Sequence, residues 1–312
     1  TEFLSLLVIF LAASLTYHFI EKHVRNNKKI NYTLLLLLIL ILNLNFSHTF
    51  LKEINKSNFT YEQLTQIKSL NEFEKKNKKI YYEDQNCFLT SGLNPNKQYL
   101  LNQCLTKKNT TNKTLFLVGD SHSAGLAIGL KKYFDDMKYN FLQMSMGYCE
   151  PTYNGIKLNN CYSSVKFIEE IIIKEEPDYI FFHSNWLGAS KLVWFEGSDY
   201  LFYFENYIKK ISRMTNAKIF IIGQMPLWED TMPNIIIKDY IRRKVTIPNS
   251  TFLNLEKDSI EIDTEMKKIN FPMNVKYFSI KDQLCDTRQG CQIKLGNDIT
   301  DIIVWTRGHM TL

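Results

Sequence analysis

Residues 115 to 130 read LFLVGDSHSAGLAIGL, an apolar run, then Gly-Asp-Ser-His, then a run of small residues. A serine at a strand-to-helix turn gains exposure, backbone N–H donors and the positive end of a helix dipole, which suits a nucleophile. Ser121 holds that place. Asp120 and Ser121 are also the residue types that cap an ordinary helix, so the stretch alone leaves both roles open. A serine hydroxyl is a weak nucleophile without a base, and histidine is the base best matched to neutral pH. Of the six histidines, His18, His23 and His48 fall in or beside apolar segments near the N-terminus. His122 adjoins Ser121, where its side chain is expected to point elsewhere, and His183 sits inside an apolar run as a core residue would. His309, in WTRGHMTL, is the remaining candidate base.

Short apolar runs alternate with helical periodicity from residue 113 onward. TLFLVG (114–119), YNFLQM (139–144), YIFFHS (179–184) and AKIFIIG (217–223) read as strands. Helices are expected over 122–136, over 162–176 up to Pro177, and over 199–214, with DIIVW (301–305) as a last strand before His309. Strands apolar on both faces and separated by amphipathic helices describe βαβ units, hence an α/β domain with a mostly parallel sheet. Sites in such folds lie at the carboxyl ends of the strands, where Ser121, Gly147, Asn185 and Gln224 each follow one of these runs.

The chain has 312 residues, a net charge of +6 and 45% apolar residues, enough for a full-sized core. Its lysines are interleaved with Asp and Glu instead of forming a basic stripe, which argues against a nucleic-acid partner. Residues 3–20 and 33–51 are each apolar over about the 20 residues that a helix needs to cross a bilayer. Two such segments fit two transmembrane helices better than one cleaved signal peptide. Lys22, Arg25, Lys28 and Lys29 between them form a short basic loop that belongs in the cytoplasm, which puts everything after residue 51 outside it. Six cysteines fall as near neighbours, Cys87 with Cys104, Cys149 with Cys161 and Cys285 with Cys291, and none has the CxxC spacing of a zinc site. Three local disulfides in an oxidising compartment, rather than six buried thiols, fit that pattern. The expected domains are therefore two membrane helices over 1–52, an extracytoplasmic linker over 53–112 with one helix at about 60–79, and a catalytic α/β domain over 113–312. The linker reads as a solvated spacer.

GDSH at 119–122, MGYCEP at 146–151, HSNW at 183–186 and the closing DQLCDTRQGCQIKLGNDITDIIVWTRGHMTL resemble the successive blocks of an SGNH-type hydrolase domain. More narrowly they resemble the version fused to the C-terminus of membrane acyltransferase-3 proteins, which O-acetylate bacterial surface polysaccharides. AASLTYHFIEKHVR (12–25) resembles the end of the last acyltransferase-3 transmembrane helix, which implies that the chain begins near the end of that membrane domain. The resemblance implies a three-layer α/β/α fold in which Ser121 is the acyl-accepting nucleophile and His309 its general base. The N–H groups of Ser121 and Gly147 and the side-chain amide of Asn185 would form the oxyanion hole. It implies neither a metal nor a cofactor bound in this domain, acetyl-CoA as the ultimate cytoplasmic acyl donor, and two partners: the acyltransferase-3 membrane domain and a surface glycan such as O antigen. The location implied is the bacterial inner membrane, with the SGNH-like domain in the periplasm or outside the cell.

One position departs from the pattern. The family has Asp three residues before the histidine, and here Thr306 stands there, so His309 must lean on a backbone carbonyl, on Thr306, or on Asp298 or Asp301. The expected activity is O-acyl transfer to sugar hydroxyls, with glycan esterase or deacetylase activity, or an impaired glycan-binding module, as alternatives.

Overall fold

The computed structural model describes residues 59–82, 87–89, 103–147, 149–151, 160–191 and 200–311, with isolated positions 14 and 17. The two apolar segments expected to cross a membrane lie, apart from those isolated positions, outside the described residues. Among the described residues no helix is long and apolar enough to cross a membrane. The chain divides into two compact units, residues 1–64 and 65–312.

Six strands form one parallel sheet: β1 (Phe88–Leu89), β2 (Thr114–Gly119), β3 (Asn140–Met146), β4 (Tyr179–His183), β5 (Lys218–Ile222) and β7 (Val275–Phe278), in the order β1-β3-β2-β4-β5-β7. Every residue of β2 is buried, as its unbroken apolar run requires of a central strand covered on both faces. Side chains alternate across the sheet. Phe116 and Val118 enter a core with Ile168 and Ile172 of α3 (Asn160–Glu175) and Phe204 and Ile208 of α5 (Tyr200–Met214). Leu115 and Leu117 pack instead with Ala127 of α2 (Ser121–Asp136). Helices therefore cover both faces, and the expected mostly parallel α/β architecture is the one observed. After β2 the chain goes to β3 on one side and then to β4 on the other, so the strand order reverses at β2 and opens a crevice at the carboxyl ends of β2 and β4.

The segment read as a solvated spacer is corrected by the structure. Its helix is α1 (Tyr61–Tyr82), capped by a reciprocal pair in which the Thr60 N–H donates to Gln63 Oε1 and the Gln63 N–H to Thr60 Oγ1. Leu70 of α1 is fully buried. Phe88 and Leu89 add the edge strand β1, and Leu105 is buried in the same core as Leu89. Apolar residues in a lysine- and asparagine-rich context gave too weak a pattern to show this burial in the sequence.

The remaining elements pack around the main sheet in the same compact unit, and Trp186, Ala189 and Met266 share the core that Phe116 and Val118 enter. These elements are α4 (Trp186–Ser190), α6 (Met232–Ile235) running into a π-helical turn (Ile236–Ile241), α7 (Lys257–Lys267), α8 (Ile280–Leu284), and a three-stranded antiparallel sheet of β6 (Ser250–Thr251), β9 (Gly290–Gln292) and β8 (Cys285–Asp286). DIIVW does not form a last strand of the main sheet: Ile302 bridges to Lys294 and Val304 to Met310, both outside that sheet. The outer position in the main sheet goes to β7. All six cysteines are paired, Cys87 with Cys104, Cys149 with Cys161 and Cys285 with Cys291.

Candidate active site

Gly119 closes β2 against the end of β4, where an added Cβ would fall 1.7 Å from the His183 carbonyl oxygen. Only glycine allows the two strands to approach this closely at the mouth of the crevice. Asp120 then caps α2. Its Oδ1 accepts from the His122 N–H at 2.8 Å, and its Oδ2 accepts from the Asn185 N–H at 2.9 Å, so one carboxylate fastens the β2 turn to the β4 turn. Below it, Ser123 Oγ donates to the Asp120 carbonyl and lies 2.8 Å from Ser145 Oγ. Ser121 follows as the first residue of α2, and its N–H belongs to the helical turn whose donors have no partner within the helix.

His309 reaches this serine from the C-terminal loop. Its Nε2 lies 2.9 Å from Ser121 Oγ, across 188 positions of sequence. Its Nδ1 lies 2.7 Å from Thr306 Oγ1, which also accepts the His309 N–H at 3.0 Å and the Gly308 N–H at 3.4 Å. The loop is held from outside by a two-way clamp: the Trp228 N–H donates to the Arg307 carbonyl, and Arg307 Nε donates to the Trp228 carbonyl, each at 2.8 Å. Arg307 Nη2 continues to Glu256 at 2.9 Å.

Two further imidazoles stand beside His309. The His122 ring centre lies 4.6 Å from that of His309 and 6.1 Å from that of His183. His183 Nδ1 lies 3.2 Å from the Ile222 carbonyl oxygen, which fits the core role expected of it. Burial pushes His309 and His122 each down to about 3, and His183 down to about 4, so all three are neutral at ordinary pH. Burial raises the Asp120 carboxyl, against the opposing pull of the Asn185 and His122 N–H bonds.

A half-buried serine–histidine pair at the carboxyl end of a parallel sheet can perform nucleophilic acyl chemistry. A family model for the SGNH domain fused to AT3 domains matches residues 86–312. The chain belongs to this family. Its match begins ahead of residue 113, in keeping with the place of β1 in the sheet. The SGNH domain is similar in structure to the periplasmic domain of a lipopolysaccharide acetyltransferase of Salmonella ser. Paratyphi A, with a TM-score of 0.61 and 21% identity over 78% of this chain and 90% of that one. A putative acylhydrolase of Bacteroides fragilis matches with a TM-score of 0.39 and 13% identity, covering 62% of this chain and 82% of that one. A GDSL-like lipase of Bacteroides thetaiotaomicron matches with a TM-score of 0.40 and 11% identity, covering 67% and 89%. No curated protein sequence matches the chain.

The SGNH domain brings Ser121, His309, Thr306 and Asn185 to one crevice. Asn185 caps α4 by accepting the Gly188 N–H on Oδ1 at 3.0 Å, which leaves its Nδ2 hydrogens to donate. Gly147 does not fit the donor role expected of it: its N–H donates to the Leu89 carbonyl at 2.6 Å and is committed to the sheet beside β1. That edge strand lay in the stretch read as linker, so nothing in the sequence signalled the competition. Of the groups considered for His309 Nδ1, Thr306 is the one observed; Asp298 and Asp301 instead form a turn in which Asp301 accepts the Asp298 N–H. Gln224 acts behind the site, accepting the Leu187 N–H at 2.8 Å and so holding α4. As expected, His122 is not the partner of Ser121, since His309 Nε2 holds that place. Its backbone neighbours Ser121, but α2 turns the ring toward the incoming loop, where Gly308 leaves room for it.

Proposed function

We propose that this SGNH domain transfers an acyl group, acetyl being the expected one, to a sugar hydroxyl of a bacterial surface glycan. The observation that carries the proposal is the 2.9 Å approach of His309 Nε2 to Ser121 Oγ. Ser121 Oγ attacks the acyl carbonyl of the donor, His309 Nε2 takes the hydroxyl proton, and the same proton passes to the departing group as the acyl ester forms on Ser121. A sugar hydroxyl then attacks that ester, gives its proton to His309, and Ser121 leaves and recovers the proton. The Ser121 N–H and the Asn185 amide would stabilise the oxyanion in both steps, at roughly 3 kcal/mol per donor.

The resemblance to AT3 fusions supports a donor path from cytoplasmic acetyl-CoA through a membrane domain, with the apolar segments 3–20 and 33–51 as the tether and this domain on the extracytoplasmic side. The three disulfides accord with an oxidising compartment. The similar Salmonella domain belongs to a lipopolysaccharide acetyltransferase, which supports a lipopolysaccharide or related acceptor. Ser121→Ala is expected to abolish O-acetylation of the surface polysaccharide in cells, and retained acetylation would overturn the mechanism. Release of p-nitrophenol from p-nitrophenyl acetate should accelerate when a glycan acceptor is added; release indifferent to the acceptor would make the protein an esterase.

A further inference from the structure

Thr306 stands where an orienting carboxylate is expected, and its hydrogen bonds fix more than the position of His309. A hydroxyl oxygen has two lone pairs and one hydrogen. Both lone pairs of Thr306 Oγ1 are taken, by the His309 N–H at 3.0 Å and the Gly308 N–H at 3.4 Å. The third close neighbour, His309 Nδ1 at 2.7 Å, can then be satisfied only by the hydroxyl hydrogen.

We infer that Thr306 donates to His309 Nδ1 and holds the resting imidazole in the tautomer that carries its proton on Nε2. Resting on the Ser121–His309 reading above, this makes Thr306 a positioning residue that sets the base to idle. With hydrogen on Nε2, the 2.9 Å contact is an N–H donating to Ser121 Oγ, and that nitrogen has no lone pair with which to accept a proton from the serine or from water. Turnover requires the other tautomer, with Nδ1–H donating to Thr306. The hydroxyl reaches it by releasing the longer bond to Gly308 and rotating its own hydrogen away, a change of a few atoms within a loop otherwise held by Arg307. A carboxylate behaves differently, because an ionised Asp has only acceptor sites and would lock hydrogen onto Nδ1 while still receiving both backbone N–H groups. The cost of the wrong tautomer is large in serine-protease triads, about 10⁴-fold in rate. His309 stays neutral at ordinary pH, so its tautomer, and not its charge, is the variable that Thr306 controls.

The test is nitrogen NMR of the full chain labelled at histidine with ¹⁵N, with the His309 signals assigned by their loss in His309→Gln. Wild type is expected to show a bare Nδ1 and a protonated Nε2; a protonated Nδ1 overturns the inference. Thr306→Asp is expected to invert the pattern and raise the rate of Ser121 labelling by a fluorophosphonate at least about tenfold. Thr306→Ser, which keeps the hydroxyl, should match wild type in both readouts. Inversion without a gain in rate would overturn the claim that the tautomer idles the base. Should Thr306→Asp fail to fold, the wild-type spectrum alone decides. Absence of Ser121 labelling in every variant would count against the acyl-transfer reading and leave the tautomer assignment intact.

Discussion

The two halves of the candidate site are built in opposite ways. The Ser121 half is a product of the sheet: β2 is wholly buried, Gly119 fixes its distance from β4, and Asp120 receives two backbone N–H groups from two different turns. The His309 half has no regular element of its own. It hangs from isolated bridges at Ile302 and Val304, the Thr306 hydroxyl and the Arg307 clamp. Where a backbone lattice sets the position, one side chain can be lost at moderate cost; where side chains set it, each one acts directly on the geometry of the base. The nucleophile side should therefore register damage as lost stability, and the base side as lost rate.

Acid strikes both halves together and has the largest expected effect. A histidine whose pKa falls from 6.5 when unfolded to about 3 or 4 when folded binds a proton in the unfolded chain first. Stability therefore rises with pH between those values, and falls as the solution is acidified through the same window. His122, His183 and His309 each contribute a slope approaching about 1.4 kcal/mol per pH unit there. Asp120 opposes them in part, because its raised carboxyl takes up a proton more readily when folded. Urea titrations between pH 7 and 4.5 should show a steep loss, with activity and tertiary signal disappearing at the same pH. Activity that declines near pH 6.5 while the fold persists would show that His309 is not shielded as its burial requires.

Asp120→Ala tests the nucleophile half. It removes a helix cap, worth about 1 kcal/mol, and leaves the Asn185 N–H without its acceptor, worth about 1–3 kcal/mol. The expected outcome is a loss of about 2–3 kcal/mol in denaturant unfolding. Asp120→Asn, which keeps Oδ1 as an acceptor, should recover about half of it. A stable Asp120→Ala with an unchanged midpoint would mean that the sheet alone positions Ser121.

The same contrast explains what the sequence disclosed. β2, β4, β5 and α2 come from uninterrupted apolar runs and helical periodicity, so their ends, and with them Ser121 and Asn185, could be located to within a residue or so. Paired cysteine spacing likewise marked the three disulfides. β7 escaped because it alternates buried Val275 with exposed Lys276 at the sheet edge, where one polar face weakens the strand signal. β1 is two residues long, and its pairing with β3, which leads on to the Gly147 N–H bond with Leu89, is a tertiary event that no local pattern encodes. The His122–His309 contact was hidden for the same reason, since it needs the C-terminal loop brought back over α2.

Arg307→Ala tests the other half and carries the smallest expected change in stability. Arg307 is about half exposed and its ion pair with Glu256 lies at the surface, so the loss should be no more than about 1 kcal/mol. Its Nε bond to the Trp228 carbonyl, however, is half of the clamp that sets where the Thr306–His309 turn lies over Ser121. A displacement on the order of 1 Å is enough to cost about 10²-fold in an oriented reaction, and here the reciprocal Trp228 N–H bond remains to limit it. Ser121 labelling by a fluorophosphonate is expected to slow by about tenfold while the unfolding midpoint barely moves. Arg307→Lys should not restore the rate, because an ammonium replaces the charge facing Glu256 but not the planar Nε–H aimed at Trp228. Equal losses of rate and stability in both variants would erase the contrast, since the His309 loop would then be held cooperatively with the core, in the manner of the sheet beneath Ser121.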